Sequence, residues 1–175
     1  MWDLRSKSFD HIQEIDDFKD SVTHIDLSSH QMLISCLDNR VRLYDIRFGK
    51  MYCDYIGEQV TCSKLSKDDQ CILVSVLDSR LMLFDKLTGE MLNEYKGHVN
   101  KMYQVECCMN NSSSELLTGS EDGHVYIYDV VEGKIKQRLQ HDNTKTVHSL
   151  SYHPELEEKK LLSAQEQFLY LWTQK

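Results

Sequence analysis

The sequence has 175 residues and a formal net charge of −8, with 41% hydrophobic and 27% charged residues. This composition is ordinary for a globular protein. Lysine and arginine are scattered singly among carboxylates, so the basic face that phosphate binding requires is absent and direct binding of DNA or RNA is not expected. The longest apolar runs, such as residues 71–74, are too short to cross a bilayer, and no membrane association is expected.

Six cysteines occur inside strand-like segments, and none forms a C-x-x-C pair. Zinc and redox sites need clustered thiolates on turns. The pattern therefore favours buried thiols in a reducing compartment, and no metal or cofactor is predicted.

A short motif of an apolar residue, an aromatic residue and usually Asp recurs five times, at residues 1–3, 43–45, 83–85, 127–129 and 171–173. Its aromatic residues lie 42, 40, 44 and 44 positions apart. A period of about 40–45 residues is typical of one four-stranded blade of a WD-type β-propeller.

Two further landmarks keep the same register. Asp38, Asp78 and Asp122 each stand six residues before the aromatic residue, where the last repeat has Glu166. A glycine follows the motif Asp by four residues in three repeats, where a hairpin turn needs a positive φ. Three landmarks in register indicate a true repeat.

Short strands are predicted between the landmarks. The inner strands are expected at residues 22–27, 60–65, 102–107 and 147–152, each followed by a nearly all-apolar second strand. We therefore predict an all-β fold, a partial WD-repeat β-propeller over residues 1–175, with repeats ending near residues 3, 45, 85, 129 and 173. It would contain three complete four-stranded antiparallel blades and a partial blade at each end, with 17 strands altogether.

In WD repeats a His, a Ser or Thr, the turn Asp and the third-strand aromatic residue form a structural hydrogen-bond network. One repeat comes close to a full set, with His98, Thr118, Asp122 and Tyr128. Elsewhere we assign the Ser/Thr position to Ile34, Val74 and Leu162. Asp38 and Asp78 belong to the same network and are expected to find other partners, such as backbone N–H groups.

Catalysis is not expected. A Ser, His and Asp in one network resemble a hydrolase triad, and His141, His148 and His153 are conceivable metal ligands. One such residue per blade cannot converge on one reacting atom, however, and the known catalytic motifs are absent. The repeating register favours a structural role, so neither catalytic nor metal-binding residues are assigned.

Several longer sequence segments are more specific to one protein family than the repeat motif. They occupy residues 41–47, 54–55, 60–62, 70–71, 77–79, 85–90, 94–98, 107–108, 120–123 and 149–154, with Tyr103 between them. Together they resemble the mitogen-activated protein kinase organizer family of WD-repeat proteins, over nearly the whole chain.

That resemblance implies a seven-bladed propeller that acts as a scaffold for the extracellular-signal-regulated kinase (ERK) cascade. It also implies association with the spliceosome in pre-mRNA splicing and with a hypoxia-linked prolyl hydroxylase, in the cytoplasm and the nucleus. The chain corresponds to the C-terminal part of the family protein. Its open ends would expose apolar faces and strand edges, so we expect it to self-associate or to close into a smaller ring.

The leading functional hypothesis is a non-enzymatic adaptor that binds proteins at one end of the propeller. The candidate contact residues flank the turn Asp of three repeats: Leu37, Arg40, Leu77, Arg80, Glu121 and His124. The alternative is a substrate receptor of a cullin-type ubiquitin ligase, because residues 2–5 and 44–47 resemble a Trp-Asp-x-Arg docking pattern. Arg after the motif is, however, common in WD repeats of any function.

Overall fold

A computed structural model describes residues 1–7, 9–141, 144–155 and 159–173, which contain fifteen strands in four antiparallel sheets. Blade 1 contains β1 (Val22–Leu27), β2 (Gln31–Cys36), β3 (Arg40–Asp45) and β4 (Lys50–Tyr55). Blade 2 contains β5 (Val60–Leu65), β6 (Cys71–Val76), β7 (Arg80–Asp85) and β8 (Met91–Lys96). Blade 3 contains β9 (Cys107–Met109), β10 (Glu115–Thr118), β11 (His124–Asp129) and β12 (Ile135–Gln140). Blade 4 contains β13 (Ser149–Tyr152), β14 (Lys160–Gln165) and β15 (Phe168–Thr173).

Each blade is a meander in which neighbouring strands along the chain pair with one another. The inner strands β1, β5, β9 and β13 contact one another in that order. A pocket of about 500 Å³ lies at one mouth of the channel between them. It is lined by residues of all four blades, including Asp26, Lys64, Cys108 and Ser151. The prediction of an all-β propeller with three complete blades and a three-stranded C-terminal blade is confirmed.

The predicted partial blade at the N-terminus is wrong. Residues 1–7 and 9–20 contain turns and bends but no strand, so the described chain has fifteen strands rather than 17. The segment instead folds against blade 1, where the Met1 ammonium group donates to the Gln13 carbonyl at 2.6 Å and the Gln13 amide donates to the Tyr44 hydroxyl at 2.5 Å. The physical reason is that a sheet of only two strands is unstable in water.

The third inner strand also differs from its prediction. It begins at Cys107 and not near residue 102, and residues 97–106 form a long connection between blades 2 and 3. Asn100 is fully buried in this connection and its amide donates to Thr61, Ser75 and the Val76 carbonyl of blade 2. These bonds hold the connection against blade 2, so it cannot extend the ladder of blade 3.

The core lies between blades, in three apolar clusters that each combine residues of two neighbours. Leu33, Leu73 and Leu117 occupy equivalent places, because each pairs with the fourth residue of the third strand in its own blade. Each is at most 1% exposed and belongs to the cluster shared with the following blade. Burial of one such leucine stabilises the fold by about 1.5–3 kcal/mol.

A close contact between blade 3 and the connection that leads into blade 4 depends on a glycine. A Cβ atom at Gly119 would collide with the backbone carbonyl oxygen of Val147, and it would also press on Val105. The obstructing atom is backbone and cannot rotate away, so only glycine fits there.

We expect Gly119→Ala to lower the free energy of unfolding by about 1–3 kcal/mol, because it forces the two blades apart. Urea unfolding followed by circular dichroism measures the change. Val131→Ala is the matched control, since Val131 is 88% exposed in a turn. Equal stability of the glycine variant and wild type would show that the two blades can separate at little cost.

Candidate protein-interaction surface

The turns between second and third strands lie at one end of the blades, which we call the upper rim. It comprises residues 37–39, 77–79, 119–123 and 166–167. The structure places all six predicted contact residues at or directly beside these turns: Leu37, Arg40, Leu77, Arg80, Glu121 and His124. They share one end of the propeller, and their contact with a partner protein stays a prediction.

Several of these side chains already have partners within the chain. The Arg80 guanidinium forms ion pairs with Asp78 and, at 2.9 Å, with Glu94. The Arg40 guanidinium lies over the Tyr55 ring, 5.5 Å from its centroid. A partner would therefore meet side chains that are held in place by their neighbours, and little rotamer entropy would be lost on binding.

Glu121 has the most defined role of the six. One of its carboxylate oxygens accepts the backbone N–H groups of Lys101, Met102 and Tyr103 at 2.7, 2.6 and 3.0 Å. Burial opposes ionisation, but the three amides outweigh it and lower the pKa of the Glu121 carboxyl. Glu121 thus fixes the connection between blades 2 and 3, and these amides cannot form the strand that the sequence predicted there.

The fixed connection presents apolar side chains at the upper mouth of the channel. Met102 is 78% exposed and Tyr103 49% exposed. The Tyr103 ring meets the His148 ring edge-on, with centroids 5.7 Å apart. These residues line a pocket of about 430 Å³ together with Glu106 and His24. Sequence reasoning missed this surface because it assigned residues 102–107 to a buried inner strand.

The turn Asp residues bond to side chains on the following strand. The Arg42 guanidinium donates two hydrogen bonds to the Asp38 carboxylate, at 3.1 and 2.6 Å, and both side chains are almost fully buried. The arginine holds the pKa of the Asp38 carboxyl at about 2, below its ordinary value of 3.8. Asp122 accepts instead from the Tyr126 hydroxyl at 2.7 Å. The acid therefore bonds to the residue four positions later in both blades.

Asp78 lacks that option because Met82 stands four positions later and cannot donate. It pairs with Arg80 on the surface instead. Asp38 and Asp78 thus have other partners, as the sequence predicted, and these are arginine side chains rather than the backbone N–H groups given as an example. In the described part of the chain, the backbone N–H of Lys19 donates one such bond to Asp38, at 3.3 Å. Arginine provides a stronger, charge-assisted partner.

The network predicted in blade 3 is formed in part. His98 is 2% exposed, its backbone N–H donates to the Tyr128 hydroxyl at 3.2 Å, and its Nδ1 lies 3.0 Å from the same hydroxyl. Burial lowers the pKa of His98 to about 4, so the ring is neutral at physiological pH. Thr118 lies apart from this pair and donates to the Gly119 carbonyl at 3.0 Å.

Blade 4 has a similar set that the sequence reading missed. Ser163 pairs with Tyr170 in the ladder, as Thr118 pairs with Tyr126, so Ser163 and not Leu162 occupies the Ser/Thr position. The Trp172 indole donates to the Ser163 hydroxyl at 2.8 Å, and His141 Nε2 lies 2.9 Å from it. The assignment of Leu162 was wrong by one residue.

The described ranges contain no group of three or more His, Cys, Asp and Glu side chains placed to hold a metal ion. They also contain no helix with the length and apolarity of a transmembrane segment. The His and Asp residues of the repeats lie in separate blades, in contacts that stabilise each blade.

We expect Asp38→Ala to lower the free energy of unfolding by about 3–5 kcal/mol, because it leaves the Arg42 guanidinium buried and unpaired. Asp78→Ala is the control and should cost less than about 1 kcal/mol, since that pair is partly exposed. Urea unfolding near neutral pH measures both.

The same pair gives a pH dependence. The folded-state pKa of Asp38 is depressed, so its contribution is complete above pH 4 and is lost as the pH falls toward 2. The stability difference between wild type and Asp38→Ala should therefore shrink across that window. A constant difference down to pH 2 would contradict the assigned pairing.

We expect Glu121→Ala to speed amide hydrogen exchange at Lys101, Met102 and Tyr103 by about tenfold or more, since it removes their charged acceptor. Exchange in β6 serves as the internal control and should not change. Unaltered protection at the three amides would mean that the connection is held without Glu121.

Comparison with known proteins adds the family. Residues 58–175 match the model of a β-propeller family described as nucleolar protein 10-like, N-terminal domain. WD repeat domain-containing protein 83 of Xenopus tropicalis is 47% identical over 168 residues, which cover 96% of this chain and 52% of the relative. The proteins of the same name from Rattus norvegicus and Homo sapiens are 39% and 41% identical, over 86% and 82% of this chain and 47% and 45% of theirs.

The chain thus spans about half the length of the curated relatives it matches. The resemblance to the mitogen-activated protein kinase organizer family is confirmed, because WD repeat domain-containing protein 83 is another name for that organizer. The chain belongs to the β-propeller family described as nucleolar protein 10-like, N-terminal domain, and is similar to WD repeat domain-containing protein 83.

Proposed function

We propose that the chain is a non-enzymatic scaffold that binds protein partners at the upper mouth of its channel. The observation that carries the proposal is the pair Met102 and Tyr103, which are exposed beside a pocket although Glu121 fixes their backbone. Exposed apolar side chains on a rigid frame lose little entropy on binding and are typical of interaction hot spots.

The charges of the upper rim favour an apolar anchor on the partner. Arg80 is already shared between Asp78 and Glu94, and Glu121 is occupied by three amides. Few charges there remain to attract an oppositely charged partner. An aromatic or aliphatic side chain that enters the pocket beside Tyr103 suits this surface best.

The partners that the family resemblance suggests are components of the ERK cascade and spliceosomal proteins, and a prolyl hydroxylase as a further candidate. We infer accordingly a place in the cytoplasm and the nucleus. WD-repeat propellers generally bind other proteins, which supports the scaffold role in general terms. The named partners rest on the resemblance alone.

The test is binding of the purified chain to purified kinases of the ERK cascade and to purified spliceosomal proteins. Met102→Ala combined with Tyr103→Ala should weaken a true interaction at least about tenfold in dissociation constant. Leu87→Ala is the control, because Leu87 is 92% exposed in a turn at the opposite end. Equal binding by the double variant would place the partner elsewhere, and no binding by wild type to any of these proteins would reject the named partners.

A second candidate is substrate reception for a cullin-type ubiquitin ligase. The Arg47 side chain is 53% exposed, and its guanidinium lies 5.2 Å from the centroid of the exposed Phe48 ring. This pair is at the end opposite the upper rim, so a ligase adaptor and an upper-mouth partner would not compete. Capture of the purified adaptor that is lost in Arg47→Ala would support this role, and no capture by wild type would remove it.

A further inference from the structure

The pocket at the upper mouth of the channel contains a carboxylate that the scaffold proposal does not use. Glu106 lies at the end of the connection between blades 2 and 3, directly before β9. Its carboxylate accepts the backbone N–H of Leu150, in the inner strand of blade 4, at 3.2 Å. No lysine or arginine of the described chain lines the pocket. The negative charge of Glu106 therefore has no cation beside it there.

Three contacts fix the wall of the pocket around Glu106. The Glu106 N–H donates to the His148 carbonyl at 2.9 Å, and the Leu150 N–H donates to the Glu106 carboxylate. His148 Nδ1 lies 3.3 Å from the Gln104 carbonyl, which can only accept, so the proton is on Nδ1. The outer strand of each complete blade leads into the inner strand of the next, so this wall joins two consecutive blades. It does not involve either end of the sequence.

The same wall contains an aromatic corner. The rings of Tyr103 and His148 meet at an interplanar angle of 88°. A contact of this kind covers at most one face of the Tyr103 ring and leaves the other to a ligand. The face of an aromatic ring attracts a cation through its quadrupole. Tyr103 is half exposed and Glu106 is more buried, so a side chain entering from solvent can pack on the ring and reach the carboxylate with its tip.

His24, on the side of the pocket formed by blade 1, adds an acceptor rather than a positive charge. Burial lowers the pKa of the His24 ring, and the nearby Lys64 acts in the same direction, so the ring is neutral at physiological pH. Its Nδ1 is buried and has no hydrogen-bond partner in the described chain. A neutral imidazole with its proton on Nε2 offers this nitrogen as an acceptor.

These groups select the chemistry of a ligand. A carboxylate or a phosphate would be repelled by Glu106, and a purely apolar tip would remove water from the Glu106 carboxylate without replacing its hydrogen bonds. A cationic tip donates N–H groups to the carboxylate and is attracted by the Tyr103 ring. The net charge of −8 adds a long-range attraction for a basic partner.

We propose that this pocket binds the tip of a basic side chain, lysine or arginine, from a partner protein. The aliphatic stem packs against Met102 and Tyr103, and the ammonium or guanidinium group donates to the Glu106 carboxylate. The inference rests on the scaffold function proposed above, because it names the chemistry of the anchor at the same surface. The stem is the aliphatic anchor already expected there, and the charge at its end is the added element.

The first test selects peptides from a random displayed library, with the purified chain as the immobilised target. We expect the peptides that need Met102 and Tyr103 for binding to be enriched in lysine or arginine. Glu106→Gln should lose these peptides, although its amide oxygen can still accept the Leu150 N–H. Glu132→Gln is the matched control and should keep them, since it removes a carboxylate from an exposed turn at the opposite end.

The outcomes separate this inference from the scaffold proposal. If no selected peptide needs Met102 and Tyr103, both fail. If peptides need these two residues but show no enrichment in lysine or arginine, only the basic anchor is overturned. Basic peptides that bind wild type and Glu106→Gln equally well would also overturn it, because their attraction would then come from the overall negative charge.

The second test is a double-mutant cycle on one selected peptide, measured by isothermal titration calorimetry. Replacing its basic residue by glutamine should raise the dissociation constant about tenfold or more, and Glu106→Gln should have a similar effect. Together the two changes should cost little more than either alone, because both remove the same ion pair. Additive effects would overturn the pairing with Glu106. An unchanged dissociation constant for the altered peptide would do the same, without any change in the protein.

Discussion

Apolar packing between consecutive blades is the constraint on which the structure depends. Each blade is a single antiparallel sheet with two apolar faces, and three shared clusters cover those faces in pairs. Leu33, Leu73 and Leu117 lie at the centre of this arrangement. Stability in such a repeat is close to a sum of blade terms and nearest-neighbour terms. The polar contacts inside each blade set its register, whereas the number of covered faces determines whether the blades stay together.

The repeat period made the fold predictable, since the aromatic motif marks the ends of third strands at Asp45, Asp85, Asp129 and Thr173. The local sequence pattern did not predict the structure correctly where a distant side chain determines the backbone conformation. The strand expected at residues 102–107 gives way to a loop because Glu121, almost twenty residues later, takes its amide groups. The prediction of strands at the N-terminus was wrong for a related reason. A strand is stable only beside a neighbouring strand, and the sequence of the segment alone does not show whether such a neighbour is present.

For the site residues too, sequence spacing predicted the positions but not the contacts. The landmark acids Asp38 and Asp122 were found from spacing, but their partners differ, an arginine in one blade and a tyrosine in the other. In these two blades the donor stands four positions after the acid, whereas blade 2 has Met82 there and Asp78 pairs with Arg80 instead. The register error at Leu162 and Ser163 arose because adjacent residues in an apolar strand look alike in sequence, while only pairing with β15 distinguishes the two faces.

The link between each outer strand and the next inner strand also governs how the molecule bears mechanical load. A force that pulls the two termini apart acts along the chain in series, blade after blade, because these connections are the covalent links between consecutive blades. Every blade is a meander whose strands can be peeled from one edge, a few hydrogen bonds at a time. The protein would therefore yield in discrete steps. Each step would release about 40 residues, roughly 140 Å of extended chain, so the length of the repeat sets the size of the molecule's elementary extension.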